Sequence, residues 1–381
     1  MIYLDNAATT FPKPMSVRKA VNECLRDYSA NPGRGGHMLS IKASEEVFAC
    51  RTALSDFFNA SGPDRVIFTQ SCTASINTVL KGVLKPGDHV ICSCLEHNAV
   101  ARPLNKLVKN GISFDKATVF TGDFDATVRS FEALIKNNTK MIICTHASNV
   151  TGAVLPIEKL GKLCRDYGLL FAVDAAQSAG VLDIDMKKQN IDYLCIAAHK
   201  GLYAPMGVGV LIADSEIPET LIEGGTGSLS RLLEQPEFMP DKFESGTVNL
   251  SGIAGLRAGV NFVKTKQRER IYSSELSLIK KAYLGLAKIE GVKLYTPPPA
   301  PFVFAPVLSF NIEGISSEEV GEALNKFGIA VRPGLHCAPF AHEVLGTLDG
   351  GTVRIAPSVS TAQADIERLL SAVKNVVKYS K

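Results

Sequence analysis

The feature that most constrains the fold is a regular alternation, between about residues 65 and 213, of short apolar runs with amphipathic stretches. In the stretches between the runs, apolar residues recur at helical spacing, as Ile76, Val79, Leu80 and Val83 do. Because continuous rather than alternating apolar runs are typical of strands buried on both faces, we predict an α/β fold with a mostly parallel sheet. The predicted strands are VIF (66–68), HVICS (89–93), MIICT (141–145), LLFAVD (169–174), YLCIAA (193–198) and VGVLIA (208–213).

The alternation stops after about residue 251. A helical region of roughly 252–290 leads into the Pro-rich segment TPPPAP (296–301), which we interpret as an exposed connection. A smaller α+β unit follows, in which Ser316 and Glu319 form a capping box that begins a helix. The sequence therefore predicts a large sheet domain followed by a smaller C-terminal one.

Composition excludes several classes of protein. With 381 residues, 46% of them apolar, and a net charge of +3, the chain is neither disordered nor basic enough to indicate nucleic-acid or membrane-surface binding. No apolar run approaches the ~20 residues of a membrane-spanning helix, and MIYLDNAATT at the N-terminus is unlike a secretory signal, so we expect a soluble, cytoplasmic protein. Nine cysteines, several within apolar runs, favour reduced thiols over a disulfide framework.

Two polar residues follow buried strands at the same predicted edge of the sheet. Asp174 ends the run LLFAVD, and Lys200 follows YLCIAA within the segment AAHKG. Ligands of open α/β sheets bind at the carboxyl ends of the strands. A desolvated lysine amine can form a Schiff base with an aldehyde cofactor, and a carboxylate can pair with a protonated pyridine nitrogen. A structural cap for Asp174 and a solvated loop position for Lys200 are the alternatives when each is considered alone.

Two further segments contain groups that suit chemistry. The segment FTQSCTASIN (68–77) leads from a strand into a helix, where N–H groups and hydroxyls bind phosphate or simply cap the helix. In VRPGLHCAPFAH (331–342), Cys337 lies in a Gly/Pro-flanked loop beside His336, and a thiol near a protonated histidine or another cation shifts toward the nucleophilic thiolate. A metal site formed with His342 is the alternative, but three ligands within six residues match no usual zinc spacing, so we predict no metal.

Taken together, the motifs resemble pyridoxal 5′-phosphate (PLP) enzymes of fold type I, in the class V aminotransferase group that includes the cysteine desulfurases. The resemblance implies an N-terminal segment (1–14) that joins the small domain, a large PLP-binding domain (15–250), and a linking helix with the small domain that carries the cysteine loop (251–381). The form of the cysteine loop is similar to the short-loop, Suf-type branch, and to a less characterised subgroup of it. The motifs are YLDNAATT (3–10), NPGRGGH (31–37), the turn 68–77, EHNAV (96–100), HASNVTG (146–152), VDAAQS (173–178), AAHKG (197–201), FESGTVN (243–249), RPGLHCA (332–338) and TVRIAP (352–357).

The resemblance implies a role for each matching residue around the cofactor ring. Lys200 would hold PLP covalently and move the Cα proton, and Asp174 would pair with the pyridinium nitrogen. Gln177 would hydrogen-bond the ring hydroxyl. His97 would stack on the ring and transfer protons, and Asn149 would lie beside the ring.

The remaining roles concern the phosphate, the substrate and the sulfur. Thr73, Cys72 and His199 would contact the phosphate, and Thr247 would reach it from the other subunit of a homodimer. Arg354 would bind the substrate carboxylate together with Asn149. Cys337 would attack the sulfur of L-cysteine, leaving L-alanine and an enzyme persulfide that a sulfur-acceptor protein would draw off.

This chain departs from the family pattern at two places. Cys72 occupies a position where relatives usually have a hydroxyl residue, and SVST (358–361) replaces a longer segment after Arg354. An alternative on the same scaffold is a selenocysteine lyase or another class V lyase or aminotransferase, and a non-catalytic sulfur carrier is a third. The set of Lys200, Asp174 and His97 argues against the carrier.

Overall fold

The computed structural model describes residues 1–33 and 35–380; Arg34 of the NPGRGGH motif lies outside the described residues. The strands are β1 (Ile2–Tyr3), β2 (Val66–Thr69), β3 (His89–Ser93), β4 (Ser113–Ala117), β5 (Thr139–Thr145), β6 (Leu170–Asp174), β7 (Tyr193–Ala197), β8 (Gly209–Ala213), β9 (Val292–Leu294), β10 (Leu308–Ile312), β11 (Ile329–Ala330) and β12 (Val353–Ile355). The helices are α1 (Met15–Asp27), α2 (Met38–Phe58), α3 (Cys72–Val83), α4 (Asn98–Val108), α5 (Phe124–Glu132), α6 (Ile157–Tyr167), α7 (Leu250–Lys266), α8 (Arg268–Leu286), α9 (Ser317–Lys326), α10 (Pro339–Leu345) and α11 (Gln363–Ser380).

A seven-stranded sheet in the order β2-β8-β7-β6-β5-β3-β4 forms the centre of the fold. Only β8 runs against its neighbours, so the predicted mostly parallel α/β sheet is confirmed. All six predicted strands form. The sequence analysis did not predict β4, because its residues SFDKA are mostly polar and form no continuous apolar run, as suits a strand at the edge of the sheet.

The C-terminal region builds a second core around the antiparallel sheet β12-β10-β9, against which α8, α9 and α11 pack. The predicted capping box of Ser316 and Glu319 begins α9. The helical region expected as one segment is two helices, α7 and α8, because the backbone at Gln267 turns to a positive φ of 63°.

Strand β1 pairs in parallel with β11, so the first residues of the chain lie against the C-terminal region. The division at residues 14 and 250 stays a prediction. Within the described residues, none of the helices combines the length and apolar character needed to cross a membrane.

Candidate active site

The carboxyl edge of the central sheet borders a cavity of about 250 Å³. Asp174 is the last residue of β6, and Lys200 follows the end of β7 by three residues; because β6 and β7 are adjacent and parallel, both side chains reach this edge. Ten of the eleven predicted site residues line the cavity: Cys72, Thr73, His97, Asn149, Asp174, Gln177, His199, Lys200, Cys337 and Arg354.

Lys200 and Asp174 have the properties that a covalently held, ring-bearing cofactor requires. Burial lowers the pKa of the Lys200 ammonium, although the Asp174 carboxylate opposes this effect. The lowered pKa favours the neutral amine, which is the nucleophilic form. The Nζ atom of Lys200 makes no hydrogen bond or ion pair with the described residues. Asp174 is 2% exposed, and its Oδ1 accepts the backbone N–H of Ala176 at 2.9 Å.

Two histidines of the cavity are held neutral. Burial lowers the pKa of His97, and the Nδ1 of this ring accepts the N–H of Ala99 at 3.0 Å, which leaves Nε2 as the protonated nitrogen. Burial, followed by the charges of Lys200 and Lys13, lowers the pKa of His199 to about 4. In this tautomer the neutral His97 ring offers an Nε2–H donor to the cavity, because its Nδ1 lone pair already accepts the N–H of Ala99.

The N-terminus of α3 faces the same cavity. Ser71 caps the helix by accepting the N–H of Ala74, whereas the N–H groups of Cys72 and Thr73 lie in the first turn, where no carbonyl of the helix can accept them. Unpaired N–H groups at the positive end of a helix suit a phosphate. The Cys72 thiol lies 3.4 Å from Asp174 Oδ1, so its phosphate contact, which stays a prediction, would use the backbone N–H.

Arg354 and Asn149 are joined on the opposite side of the cavity. Arg354 is 3% exposed; its Nη1 donates to the Asn149 carbonyl at 3.1 Å and its Nη2 to Asp5 Oδ1 at 2.9 Å. The Asn149 amide Nδ2 donates to the carbonyl of His336 at 2.7 Å, which ties it to the cysteine loop. Gln177 donates from Nε2 to the carbonyl of Ala7 at 3.0 Å.

Cys337 differs from the other eight cysteines, because it alone is exposed. His336 and Cys337 both have left-handed backbone, with φ of 49° and 56°. Burial and the charge of Arg354 lower the pKa of His336 to about 2, so the imidazole beside the thiol is neutral, and of the two possibilities, a protonated histidine or another cation, His336 does not supply the first. The cation that interacts electrostatically with Cys337 is Arg354.

Thr247 is the one predicted site residue that lies elsewhere. It is exposed and lines a separate cavity of about 210 Å³ formed against β2 and α3. In a single chain it does not reach the first cavity. Its predicted contact from the other subunit stays a prediction.

The structure adds residues that the sequence analysis left without a role. Arg332 lines the cavity beside Cys337 and bridges the backbone of Arg354. Lys13 Nζ donates to the His199 carbonyl at 2.6 Å and so holds the segment that precedes Lys200. Asp5 pairs with Arg354. Asp5 lies in the motif YLDNAATT, but the sequence around Asp5, Lys13 or Arg332 does not indicate which distant residue each one contacts.

The donors of the cavity fit PLP. His199 Nδ1 and Arg354 Nε are buried with no hydrogen-bond partner among the described residues, and two N–H groups of α3 are unpaired by their helix. Unpaired buried donors are costly unless a ligand meets them. An anionic phosphate would meet the donors at α3, and PLP would also match the other two groups of the cavity, with its pyridine nitrogen at Asp174 and its aldehyde at Lys200.

The chain belongs to the class-V aminotransferase family, whose model matches residues 2–369. It is 33% identical to a probable cysteine desulfurase of Pyrococcus abyssi over 99% of this chain and 94% of that one, and 30% identical to one of Methanothermobacter thermautotrophicus over 98% and 94%. The apo structure of a cysteine desulfurase from Thermococcus onnurineus is similar with a TM-score of 0.90, at 32% identity over 99% of this chain and 95% of that one. The predicted fold type I architecture is thereby confirmed, and this family generally depends on PLP.

Proposed function

We propose that this chain is a PLP-dependent cysteine desulfurase that converts L-cysteine to L-alanine and leaves the sulfur as a persulfide on Cys337. The observation that carries the proposal is the position of an exposed thiol on the same cavity as the buried Lys200 and Asp174. The relatives named cysteine desulfurase support it. A lyase without a thiol nucleophile would have no use for Cys337 at this place.

The chain's own residues divide the work between binding and proton transfer. Arg354 offers a guanidinium for the substrate carboxylate, oriented by Asp5 and by the Asn149 carbonyl. Lys200 would hold the cofactor and, once released from it, move the Cα proton, and His97 would donate a hydrogen bond into the cavity from its Nε2–H. PLP, when bound, supplies an electron sink for the pair of electrons left on the substrate carbon.

The sulfur step balances at Cys337. Its thiolate Sγ forms a bond to the substrate sulfur while the bond between that sulfur and the substrate Cβ breaks, and the electron pair of the broken bond remains on the carbon side. A proton delivered to that carbon completes alanine.

Product analysis tests this function. Purified protein reconstituted with PLP should release alanine from L-cysteine and, with a thiol such as dithiothreitol, an equal amount of sulfide. Cys337→Ala should lose both products while it retains the absorbance of bound PLP. Full cysteine activity in Cys337→Ala would overturn the mechanism, and activity confined to selenocysteine would favour the selenocysteine lyase.

We extend the proposal to a homodimer in which Thr247 completes the partner's phosphate site. The segment around residues 221–238 is rich in exposed apolar side chains, as an interface would be. These are Leu221, Ile222, Leu229, Leu232, Leu233 and Phe238. Co-expressed Thr247→Ala and Lys200→Ala chains would form mixed dimers with one intact site, so activity should exceed that of either variant alone. No recovery in a verified mixed dimer would contradict the shared site.

The persulfide would pass to a separate acceptor. Cys337 is exposed, so an acceptor thiol can reach it without opening the fold. All nine cysteines are free, which suits the reducing cytoplasm that we propose as the location. Adding a thiol acceptor should raise the turnover rate with cysteine. An unchanged rate would mean that release of sulfur does not limit the reaction.

A further inference from the structure

The thiol of Cys72 makes an unexpected contact across the cavity. Cys72 is the first residue of α3, and Asp174 is the last residue of β6. The Cys72 Sγ lies 3.4 Å from Asp174 Oδ1, which also accepts the N–H of Ala176 at 2.9 Å. Oδ1 thus receives two donors, while Oδ2 receives none from the described residues.

The proton of this bond stays on sulfur. Burial and the nearby Asp174 carboxylate raise the pKa of the Cys72 thiol well above its ordinary value. The carboxylate can only accept, so the S–H group is the donor. An S–H donor is weaker than a hydroxyl, but in a site where both side chains are more than nine-tenths buried, water does not compete for it.

The same residue has a second donor, its backbone N–H, in the first turn of α3. That N–H points to where a phosphate binds at a helix N-terminus. Cys72 therefore has a donor at each end of the space that the PLP ring would occupy. Its backbone N–H lies at the phosphate end, and its thiol bonds Asp174, the residue that would face the pyridine nitrogen. A rotation of Asp174 would break its bond to Cys72.

We propose that Cys72 is a positioning residue that locks the Asp174 carboxylate through Oδ1 and leaves Oδ2 directed at the pyridine nitrogen of PLP. This deepens the proposed function and rests on it for the identity of the cofactor. Cys72 does not touch the reacting atoms of the substrate. Its thiol acts through the orientation of Asp174.

The first test measures PLP binding to cofactor-free protein. Cys72→Ala removes the donor and should weaken PLP binding about threefold to tenfold and shift the absorbance band of the bound cofactor. Cys72→Ser keeps a donor and should stay within twofold of the wild type. The matched control is Cys92→Ala, a fully buried cysteine of the same core cluster, on β3, which should leave PLP affinity unchanged.

Three outcomes of that titration would overturn the proposal. They are unchanged affinity and absorbance in Cys72→Ala, equal weakening in Cys72→Ser and Cys72→Ala, and equal weakening in Cys92→Ala. The second would assign the effect to side-chain volume, and the third to general packing of the core. Thermal unfolding of each variant checks that the protein is folded at the temperature of the PLP titration.

The second test needs no cofactor and no alanine variant. The infrared difference spectrum between cofactor-free wild type and Cys72→Ser isolates the S–H stretching band of Cys72. A band at lower frequency than that of Cys92, obtained in the same way, supports the bond to Asp174, and a band at the same frequency overturns it. A wild type that binds no PLP but has the shifted band would overturn the cofactor assignment and the positioning role, and would leave the hydrogen bond standing.

Discussion

The two sides of the cavity are built in different ways. The side that we call the cofactor wall consists of Cys72, His97, Asp174 and Lys200, which lie at the end of a buried strand, shortly after one, or at the beginning of a helix. The side that we call the cysteine loop is 332–338, in which His336 and Cys337 have left-handed backbone and Cys337 is exposed. Each such non-glycine residue costs roughly 1–3 kcal/mol and persists only where contacts impose it.

The contacts that impose the loop's conformation come from the wall side and from the small sheet. The carbonyl of Cys337 accepts the N–H of Asn98 at 2.6 Å, and the carbonyl of His336 accepts the amide of Asn149. The His336 ring is hydrogen-bonded to Thr352 at 3.0 Å. Under the proposed function this difference has a reason: the wall would hold a cofactor with buried, fixed groups, whereas the loop would hold a thiol where both the substrate and an acceptor can reach it.

The largest expected effect comes from Lys200 and distinguishes the function of the cofactor wall from that of the cysteine loop. Lys200→Ala removes the covalent attachment point and the proton carrier, so we expect desulfuration to fall by more than about 1000-fold and PLP to be lost on dialysis. Cys337→Ala should abolish persulfide formation and still retain PLP. Absorbance after dialysis measures the first effect, and a persulfide assay the second. Loss of PLP from Cys337→Ala would show that the two sides are not independent.

The wall could be predicted from the sequence because its signals are local. Continuous apolar runs that end in Asp174 or lead into Lys200 place both side chains at one sheet edge, whereas the role of His97 came only from the resemblance to a family. The cysteine loop could be located but not described. Neither the left-handed backbone nor the neutral state of His336 has a local signal, because both follow from contacts with distant residues such as Thr352 and Arg354.

Asn149 is the residue whose side chain bonds the backbone of the cysteine loop, and its substitution should give an intermediate effect. Asn149→Asp keeps the shape but cannot donate to the carbonyl of His336, so the loop should lose its restraint. We expect kcat/KM for cysteine to fall about 10- to 100-fold while PLP affinity changes little. The control is Asn138→Ala, which removes an exposed amide-to-carbonyl bond, to Gly87, away from the cavity. PLP affinity that falls in parallel with kcat/KM would place Asn149 on the wall instead.

The smallest effect concerns the protonation of a group behind the wall. Glu96 is fully buried next to His97, and burial raises its pKa to about 8, although the N–H groups of Ser93 and Thr145 and the Ser93 hydroxyl donate to it. The folded state holds this proton more tightly than the unfolded state does. The free energy of unfolding should therefore fall as the pH rises from the ordinary value near 4.5 toward 8, and level off above it.

Glu96→Gln removes that dependence, because a carboxamide resembles the protonated acid and does not ionise. Relative to this variant, the wild type should lose about 2 kcal/mol of unfolding free energy between about pH 6 and pH 8. Chemical denaturation of the cofactor-free proteins at a series of pH values measures the difference. Glu343→Gln, on the exposed face of α10, is the control and should follow the wild-type curve. If the wild-type and Glu96→Gln curves run parallel, Glu96 is ionised in the folded protein. Its carboxylate, rather than the protonated acid, then accepts the N–H groups at the ends of β3 and β5.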